Sequence, residues 1–415
     1  MVEWKSVKLS ELGEIVGGAT PSTSNPLYYG GDIPWITPKD LSKHVGRYIS
    51  FGERNITEDG LNSCSAKLLP KHSVLFTSRA PIGYVAISDA EMATNQGFKS
   101  IIPNSNVDYL FLYYLLVYNK SKIEALGSGT TFKEVSGAVM KGVEVSIPDI
   151  STQKKIASIL SSLDDKIELN TRMNKVLEEI AQALFKHWFV DFEFPNEEGK
   201  PYRSSGGKMV ESEMGLIPEG WSLKNIGDVV KIVGGNTPST TNPEYWDGGV
   251  HPFCTPKDLA SLKSPILLDT ERHLTTSGVQ KISSKQLPAG TLLLSSRAPI
   301  GYTAISAVPL SINQGFIAFP CDENISNVYM LHWLRENMDE IKGRANGSTF
   351  LEISKTNFRS ILFLVPDTMV LSAYNDIVKL YYQLIENTTK ESERLEEIRD
   401  ALLSKLMSGS INVNT

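Results

Sequence analysis

The stretch Ser-Arg-Ala-Pro-Ile-Gly-Tyr at residues 78–84 recurs letter for letter at residues 296–302. Two further motifs recur in the same order: Gly-Gly-x-Thr-Pro-Ser-Thr at 17–23 and 234–240, and Asn-Gln-Gly-Phe at 95–98 and 313–316. The glycine motif returns 217 positions later and the others 218 positions later, so one inserted residue separates two copies of a whole domain. Two equivalent modules make the chain pseudo-twofold, and this favours a partner with twofold character, such as duplex DNA.

Composition places the chain among soluble globular proteins. It has 415 residues, of which 41% are hydrophobic and 21% charged, and this length predicts at least two domains. The longest apolar run, residues 109–118, is too short to cross a bilayer, and no apolar signal segment follows Met1. The three cysteines form no Cys-x-x-Cys pair. We therefore expect a cytoplasmic protein with reduced thiols and no membrane contact.

The net charge of −6 bears on nucleic-acid binding. Lys and Arg side chains that neutralise phosphates usually supply most of the non-specific affinity for DNA. A DNA-binding chain with this charge must gather its basic residues on one face or share the DNA with a partner. The charge alone does not choose between DNA binding and another role.

Each copy begins with short β-rich runs and ends in a long helix. Runs such as residues 73–77 and 84–87 are rich in β-branched and aromatic residues and lie between Gly and Pro, which predicts a small, mostly β domain. Long stretches without Gly or Pro then follow Pro148 and Pro366. The predicted class is α+β, with these divisions: 1–150 (module 1), 151–190 (helix), 191–220 (linker loop), 221–368 (module 2) and 369–408 (helix).

Both predicted helices carry a heptad seam, with apolar residues spaced alternately by four and three positions. In the first helix the seam runs from Ile156 to Trp188, and in the second from Val378 to Leu406. This pattern is typical of a coiled coil, and about 1.5 Å per residue makes each helix roughly 55 Å long. Polar residues interrupt both seams at the centre, where they would fix the register: Asn170, Asn174, Thr388 and Ser392. The pattern permits parallel or antiparallel pairing, but a twofold relation between the modules requires antiparallel helices.

The repeated motifs, together with Thr-Pro-Lys-Asp-Leu at 37–41 and 255–259 and a long helix after each module, resemble the specificity subunit of type I restriction–modification enzymes. The resemblance covers nearly the whole chain, including Ile-Pro-Asp-Ile-Ser-Thr-Gln-Lys-Lys-Ile at 147–156. The second helix begins differently, with Val-Pro-Asp-Thr-Met at 365–369. Two unequal surfaces for partner docking are therefore expected.

The resemblance implies a non-catalytic subunit that recognises a bipartite target in double-stranded DNA. In that family the modules are target-recognition domains, and the helices separate them and dock two adenine methyltransferase subunits. Two motor-nuclease subunits join in the complete restriction enzyme. No cofactor or metal is expected on this chain, because S-adenosylmethionine, ATP and magnesium would belong to the partner subunits.

Residues that are identical in both copies cannot make the modules read different sequences. They hold the fold, grip phosphate or read a base common to both half-sites. Arg79 and Arg297 either bond loop carbonyls or contact DNA, whereas Lys39 and Lys257 are expected to pair with the adjacent aspartate first and contact DNA second. The paired amides at 95–96 and 313–314 suit either a turn or bidentate reading of adenine. The shared candidates are Lys39, Arg79, Asn95, Gln96, Lys257, Arg297, Asn313 and Gln314.

Discrimination between half-sites must come from positions where the copies differ. The most diverged short stretch is 42–52 against 260–270, basic in module 1 and more apolar in module 2. Drift in a solvent loop would look the same, but this contrast favours unlike half-sites. The candidates for base reading are Lys43, His44, Arg47, Tyr48 and Lys263.

Two other classes of function remain open on the sequence. One is a stand-alone methyltransferase or nuclease with its own recognition domains. Asn-Pro-Leu-Tyr at 25–28 and Asn-Pro-Glu-Tyr at 242–245 lack the second proline of the methyltransferase motif, and no Gly-rich loop for S-adenosylmethionine lies nearby. The other is a twin-module scaffold without sequence-selective DNA binding.

Overall fold

The computed structural model describes residues 3–129, 133–321, 325–347 and 351–413. By its internal contacts the chain divides into unit 1, residues 1–168 with 393–415, and unit 2, residues 169–392. The fold class is α+β as predicted: two repeated modules, each followed by a long helix. Each unit contains one module and a segment of each long helix.

Unit 1 alternates short strands with short helices. Its strands are β1 (Lys5–Lys8), β2 (Gly13–Gly17), β3 (Tyr29–Ile36), β4 (Tyr48–Ile49), β5 (Arg54–Ile56), β6 (Val74–Ser78), β7 (Ile82–Ser88), β8 (Ala93–Thr94), β9 (Lys99–Pro103) and β10 (Glu144–Ile147). Its short helices are α1 (Leu9–Leu12), α2 (Pro38–Lys43), α3 (Glu58–Asn62), α4 (Tyr109–Tyr118), α5 (Lys120–Ala125) and α6 (Gly137–Gly142). The first long helix, α7 (Ile150–Phe185), starts in this unit.

Three sheets organise the module of unit 1. They have the strand orders β2-β9-β6-β7-β4, β5-β3-β8 and β1-β10. Strand β6 is buried along its whole length because it has a neighbour on each side. The packed side of α4 joins the same core, with Phe111, Leu112 and Leu115 buried against Val74 and Phe76 of β6. This core holds the loops between strands in place.

Unit 2 repeats the same order of elements. Its strands are β11 (Met209–Ser212), β12 (Gly215–Pro218), β13 (Ser222–Asn225), β14 (His251–Cys254), β15 (Ile266–Leu267), β16 (Arg272–Leu274), β17 (Leu292–Ser295), β18 (Thr303–Ser306), β19 (Ser311–Ile312), β20 (Phe316–Phe319) and β21 (Leu362–Val365). Its short helices are α8 (Ile226–Val229), α9 (Pro256–Ala260), α10 (Thr276–Gln280), α11 (Asn327–Glu336), α12 (Met338–Gly343) and α13 (Lys355–Arg359). The second long helix is α14 (Thr368–Met407).

The sheets of unit 2 match those of unit 1 at every strand except β2. The orders are β15-β18-β17-β20, β16-β14-β19 and β13-β21. Strand β2 has no full counterpart, but Val233 bonds Ala318 at the equivalent place, with a 2.9 Å hydrogen bond from its backbone N–H. The repeat read in the sequence is therefore a repeat of sheet topology and register.

The segment predicted as a linker loop contains a β-hairpin instead. Strands β11 and β12 pair antiparallel around a turn that ends at Gly215, whose φ of +88° favours glycine. Phe194, which precedes the hairpin, stacks on Trp221, which follows it, with ring centroids 5.2 Å apart, and both rings are buried. These aromatic residues supply the buried area that a Gly- and Ser-rich composition did not suggest.

The segments of α7 and α14 run antiparallel within unit 2. Asn170 donates from Nδ2 to Oγ of Ser392 at 3.2 Å, and Thr388 donates from Oγ1 to Oδ1 of Asn174 at 2.5 Å. Four residues forward in α7 thus correspond to four residues back in α14. In unit 1 the pair continues with a 2.8 Å ion pair between Arg399 and the buried Asp164.

Candidate functional site

The repeated motifs converge at one place in module 1. The backbone N–H of Ala19, in the Gly-Gly loop, donates to the carbonyl oxygen of Thr94 at 3.0 Å. The backbone N–H of Ser78 donates to the carbonyl oxygen of Gly97 at 2.7 Å. A Cβ on Gly97 would stand 2.7 Å from Cγ of Pro38, so a side chain here would collide with the start of α2. We call residues 17–23, 37–41, 78–84 and 95–98 the shared loop cluster of module 1.

Module 2 builds the same cluster from residues 234–240, 255–259, 296–302 and 313–316. Ser296 donates from its backbone N–H to the carbonyl oxygen of Gly315 at 2.8 Å, and Asn313 donates in the same way to that of Cys254 at 3.1 Å. A Cβ on Gly315 would stand 3.0 Å from Cγ of Pro256. Both arginine loops also contain a cis Ala–Pro bond, at positions 80–81 and 298–299.

The paired amides of each cluster have different environments. Oδ1 of Asn95 accepts the backbone N–H of Gly97 at 2.9 Å, and Oδ1 of Asn313 accepts that of Gly315 at 2.8 Å, so both asparagines form the predicted turn. The adjacent Gln96 is exposed, and its Oε1 accepts the hydroxyl of Thr20. Gln314 accepts the hydroxyl of Thr237 at 2.7 Å. Each glutamine amide is thereby oriented with its N–H donors available.

The two arginines of the clusters face carboxylates. Nη1 of Arg79 lies 3.4 Å from Oε2 of Glu134, and Nη1 of Arg297 lies 3.6 Å from Oε2 of Glu352. Both guanidinium groups are about one-third exposed, at 35% and 36%. Such long, partly exposed pairs hold the side chains weakly, so the guanidinium groups can still contact another anion.

The lysine–aspartate pairs predicted at 39–40 and 257–258 do not form. Lys39 instead pairs with Glu53 at 2.7 Å, and Lys257 pairs with Glu271 at 2.7 Å. The hydrogen bond from Lys39 lowers the pKa of Glu53, and the hydrogen bond to Glu271 raises the pKa of Lys257. Asp40 and Asp258 instead accept the backbone N–H of the N-cap residues Thr37 and Thr255 at 2.7 Å. Both aspartates therefore serve to cap the helix that follows these threonines.

In the diverged stretch of module 1, Arg47 is buried and not available as a base reader. Its side chain is 4% exposed, and Nε lies 3.1 Å from Oε1 of Glu168, while Nη2 bonds Asp165. Burial works against the charge, but the hydrogen bond and charge of Glu168 leave the pKa of Arg47 above its ordinary value. Pro265 stands at the equivalent position of module 2, so this ion pair belongs to module 1 alone.

The other candidates of this stretch differ in exposure. Lys43 is exposed, and so is Lys263 in module 2. Tyr48 is half-buried, with its hydroxyl 3.5 Å from that of Tyr109. His44 is half-buried, and this burial lowers the pKa of its imidazole. Lys43 and Lys263 are therefore the side chains of this set that solvent reaches most freely.

Sequence reasoning missed several residues of the clusters: Thr20, Glu134, Thr237 and Glu352. All four fall at matching positions of the two copies: the threonines lie within the repeated glycine motif, and a full alignment of the repeat would have added the glutamates. Asp165 and Glu168 were also missed, because their partner Arg47 is more than 110 positions away. No spacing rule connects residues across that distance.

Within the described ranges, no group of three or more His, Cys, Asp or Glu side chains could hold a metal ion. In the same part of the chain, no helix has the length and apolar character needed to span a membrane. The side chains that the repeat places at the two shared loop clusters are amides, arginines and lysines around tight loops.

Comparison with known families identifies the domain to which each of these two clusters belongs. The sequence matches the family described as type I restriction modification DNA specificity domain twice, over residues 1–179 and 218–398. The chain belongs to this family. The two matched regions each contain one shared loop cluster, so the repeat is a repeat of the DNA specificity domain.

Relatives over the full length agree with this assignment. The specificity subunit of the type I restriction enzyme MjaIX of Methanocaldococcus jannaschii is 35% identical, covering 99% of this chain and 94% of its own. The HindI specificity subunit of Haemophilus influenzae is 29% identical, covering 99% and 100%. The crystal structure of the type I S subunit from M. genitalium aligns with a TM-score of 0.60 at 17% identity, covering 98% and 96%. The resemblance read from the motifs is confirmed, and the chain is a DNA-recognition subunit, not a catalytic one.

Proposed function

We propose that this specificity subunit binds a bipartite target in double-stranded DNA, with one half-site for each module. The observation that carries the proposal is the pair of shared loop clusters, in which the serine, asparagine and glutamine hydrogen bonds of one module recur in the other. Two equivalent sites on one chain suit two half-sites separated by an unread gap. The target-recognition regions would be residues 1–150 and 221–368.

Within each half-site, the two kinds of position would have separate tasks. The shared residues would contact phosphate or a base common to both halves: Lys39, Arg79, Asn95, Gln96, Lys257, Arg297, Asn313 and Gln314. Because Gln96 and Gln314 have their Oε1 atoms occupied by threonine hydroxyls, they would act as hydrogen-bond donors. Differences between the half-sites would come from the diverged stretches, through Lys43, His44 and Tyr48 in module 1 and Lys263 in module 2.

A loop exchange tests this division. Residues 42–45 and 48–52 are replaced by residues 260–263 and 266–270, while Gly46 is kept for its φ of +103° and Arg47 because it anchors the stretch to Glu168. We expect the first half-site of the target to change and the second to remain. The measurement is methylome sequencing of a host that expresses the variant with its methyltransferase.

The control for the exchange is folding. The purified variant should unfold at the temperature of the natural chain, whereas an exchange that also replaces Arg47 by proline should unfold earlier. An unchanged methylation motif from a well-folded variant would show that the exchanged residues do not read the DNA.

We further propose that the chain docks two adenine methyltransferase subunits, and that two motor-nuclease subunits complete the restriction enzyme. S-adenosylmethionine, ATP and magnesium would then be bound by those partners. The support is an apolar stripe on α7 of unit 2: Leu169, Val176 and Ile180 are 44%, 51% and 45% exposed. Their spacing of seven and four residues suits a partner helix packed along α7.

The two docking surfaces would be unequal. The residues 218 positions after this stripe are Asn387, Arg394 and Ile398, so α14 lacks most of its apolar character there. At these equivalent positions a partner helix would bury less apolar area on α14 than on α7, and the methyltransferase bound there would dissociate sooner.

A charge substitution tests the docking surface. Replacing Val176 and Ile180 together by glutamate should weaken binding of the methyltransferase at least tenfold, because two apolar contacts that become buried in the complex would be lost. The measurement is co-purification with the tagged methyltransferase. Lys175→Glu changes the net charge by the same amount beside the stripe and should leave binding intact. Equal co-purification of both variants would place the docking surface elsewhere.

A further inference from the structure

A lysine ammonium lies beside the shared loop cluster of module 2. It belongs to Lys355, the first residue of α13, which is exposed. Its Nζ atom lies 2.6 Å from the point where a Cβ on Gly234 would stand, so the ammonium rests against the first glycine of the Gly-Gly loop. The position equivalent to Lys355 in module 1 is Gly137, which has no side chain to offer.

Module 1 brings a lysine to the corresponding place from a different element. Lys99 is the first residue of β9 and is the register partner of Gly17, the first glycine of the Gly-Gly loop. Its Cε lies 3.9 Å from the point where a Cβ on Gly137 would stand. The position equivalent to Lys99 in module 2 is Ile317, which is buried at 1% exposure.

The two lysines are thus related by a reciprocal exchange. Module 1 has Lys99 and Gly137, and module 2 has Ile317 and Lys355 at the same two positions. In the described part of each module, one of these two lysines lies near the last short helix before β10 or β21, which is α6 in module 1 and α13 in module 2. Packing alone would not require this, because an apolar side chain could fill the same space. Both modules keep a positive charge near the start of this short helix, although no atom of Lys99 lies within 4 Å of the point where a Cβ on Gly17 would stand.

The surroundings in module 1 leave positive charge in excess. Nζ of Lys99 lies 3.5 Å from Oε1 of Glu134, and Nη1 of Arg79 lies 3.4 Å from its Oε2. One carboxylate therefore faces two cations at distances longer than those of a strong ion pair. An incoming anion with several oxygens would balance the second cation. The donor amide of Gln96 lies in the same cluster.

We propose that Lys99 in module 1 and Lys355 in module 2 each contact a backbone phosphate of the bound DNA duplex. The proposal rests on the DNA-recognition role of the family. A phosphate contact carries no sequence information, so it serves two modules that read unlike half-sites. It also explains why the element that carries the lysine can differ while a positive charge near the short helix is kept.

The test uses the full-length chain and a fluorescein-labelled duplex of about 40 base pairs with random sequence. Binding is measured by fluorescence polarisation between about 50 and 200 mM KCl. Lys99→Ile should weaken binding by about threefold to tenfold and lower the slope of log affinity against log salt by about 0.9, the value for one lost phosphate contact. Binding by the natural chain tests DNA binding itself, and the variants test the lysines.

A rescue makes the test specific. Lys99→Ile combined with Gly137→Lys gives module 1 the arrangement of module 2, and it should restore both the affinity and the slope. The site accepts this change, because the nearest atoms to a Cβ on Gly137 are 3.9 Å away and belong to Lys99 itself. Lys175→Ile removes one exposed charge from α7 and should leave the slope unchanged.

Lys355→Gly provides the same test in module 2 and should lower the slope by the same amount. Thermal unfolding followed by circular dichroism verifies that each variant is folded. An unchanged slope in folded Lys99→Ile and Lys355→Gly variants, or a folded double variant that fails to regain the slope, would overturn the proposal.

Discussion

His332 is a fully buried titratable residue between α7 and α14 of unit 2. Its Nδ1 lies 2.7 Å from Oε1 of Gln182, and its Nε2 lies 3.3 Å from the hydroxyl of Tyr382. A neutral imidazole that donates from Nδ1 and accepts at Nε2 satisfies both contacts. Burial, with a further effect of Arg335, lowers the pKa of His332 to about 3.

This pKa predicts a loss of stability in mild acid. The unfolded chain binds a proton on His332 below about pH 6.5, whereas the folded protein does not until about pH 3, so protons favour the unfolded state in this window. Between pH 6.5 and 4.5 we expect the free energy of unfolding to fall by about 2 kcal/mol from this residue.

Urea unfolding at several pH values measures the effect. His332→Gln should be less stable at pH 7, because it loses packing, but it should lose less stability on acidification than the natural chain. His187→Gln, at an exposed position, serves as the control. An identical pH dependence in His332→Gln and the natural chain would contradict the assignment of the acid sensitivity to His332.

Arg47 and Lys43 show how differently two basic residues of one loop behave. Lys43 is exposed, while Arg47 is buried and bonded to Glu168 and Asp165. Gly46, with φ of +103°, turns the chain just before Arg47. The backbone N–H of Arg47 then donates to Oε1 of Glu168 at 2.9 Å. The loop is thus anchored on α7 at one residue and open to solvent four positions earlier.

The polar centre of the helix pair specifies antiparallel register within unit 2. Antiparallel pairing joins Asn174 to Thr388 and Asn170 to Ser392, as the hydrogen bonds do. Parallel pairing at the repeat offset would instead join Asn174 to Ser392. Asn170 also donates to Glu391 at 2.9 Å, so the polar centre is bonded on several sides.

Double-mutant cycles distinguish these pairings. Asn174→Ala with Thr388→Val should show a coupling of about 1 kcal/mol in the free energy of unfolding, the usual value for one buried hydrogen bond. Asn174→Ala with Ser392→Ala should be additive. Coupling in the second cycle and none in the first would contradict the antiparallel register.

For the molecule as a whole, the length of α7 and α14 bears on the unread gap between half-sites. They have 36 and 40 residues, and at about 1.5 Å per residue each is between about 54 and 60 Å long. Seven residues inserted after Leu177 in α7 and seven before Ile385 in α14 would keep the seam in phase. Each helix would grow by about 10 Å, or roughly three base pairs.

Methylome sequencing should then show the original half-sites with a gap about three base pairs longer. Three base pairs also rotate the second half-site by about 100° around the DNA axis, so the variant should methylate more slowly unless the DNA twists to compensate. An active insertion variant that keeps the original gap would show that another element sets the distance.

Features that depend on local pattern or on repetition could be predicted from the amino-acid sequence. The α+β class and the two modules followed from motifs of seven residues and from heptad spacing, because periodicity and turn residues act over a few positions. The same comparison singled out Asn95 and Gln96, since both copies contain them. It also predicted the central polar residues Asn170 and Asn174.

Which distant side chains meet became known from the three-dimensional structure. It assigned Lys39 to Glu53 instead of Asp40, buried Arg47 against α7, and brought Lys99 beside Gly137 and Lys355 beside Gly234. Ion pairs and burial depend on how separate elements pack, and no spacing along the chain encodes that arrangement. Antiparallel pairing was decided in the same way, because a heptad seam is equally apolar in both directions.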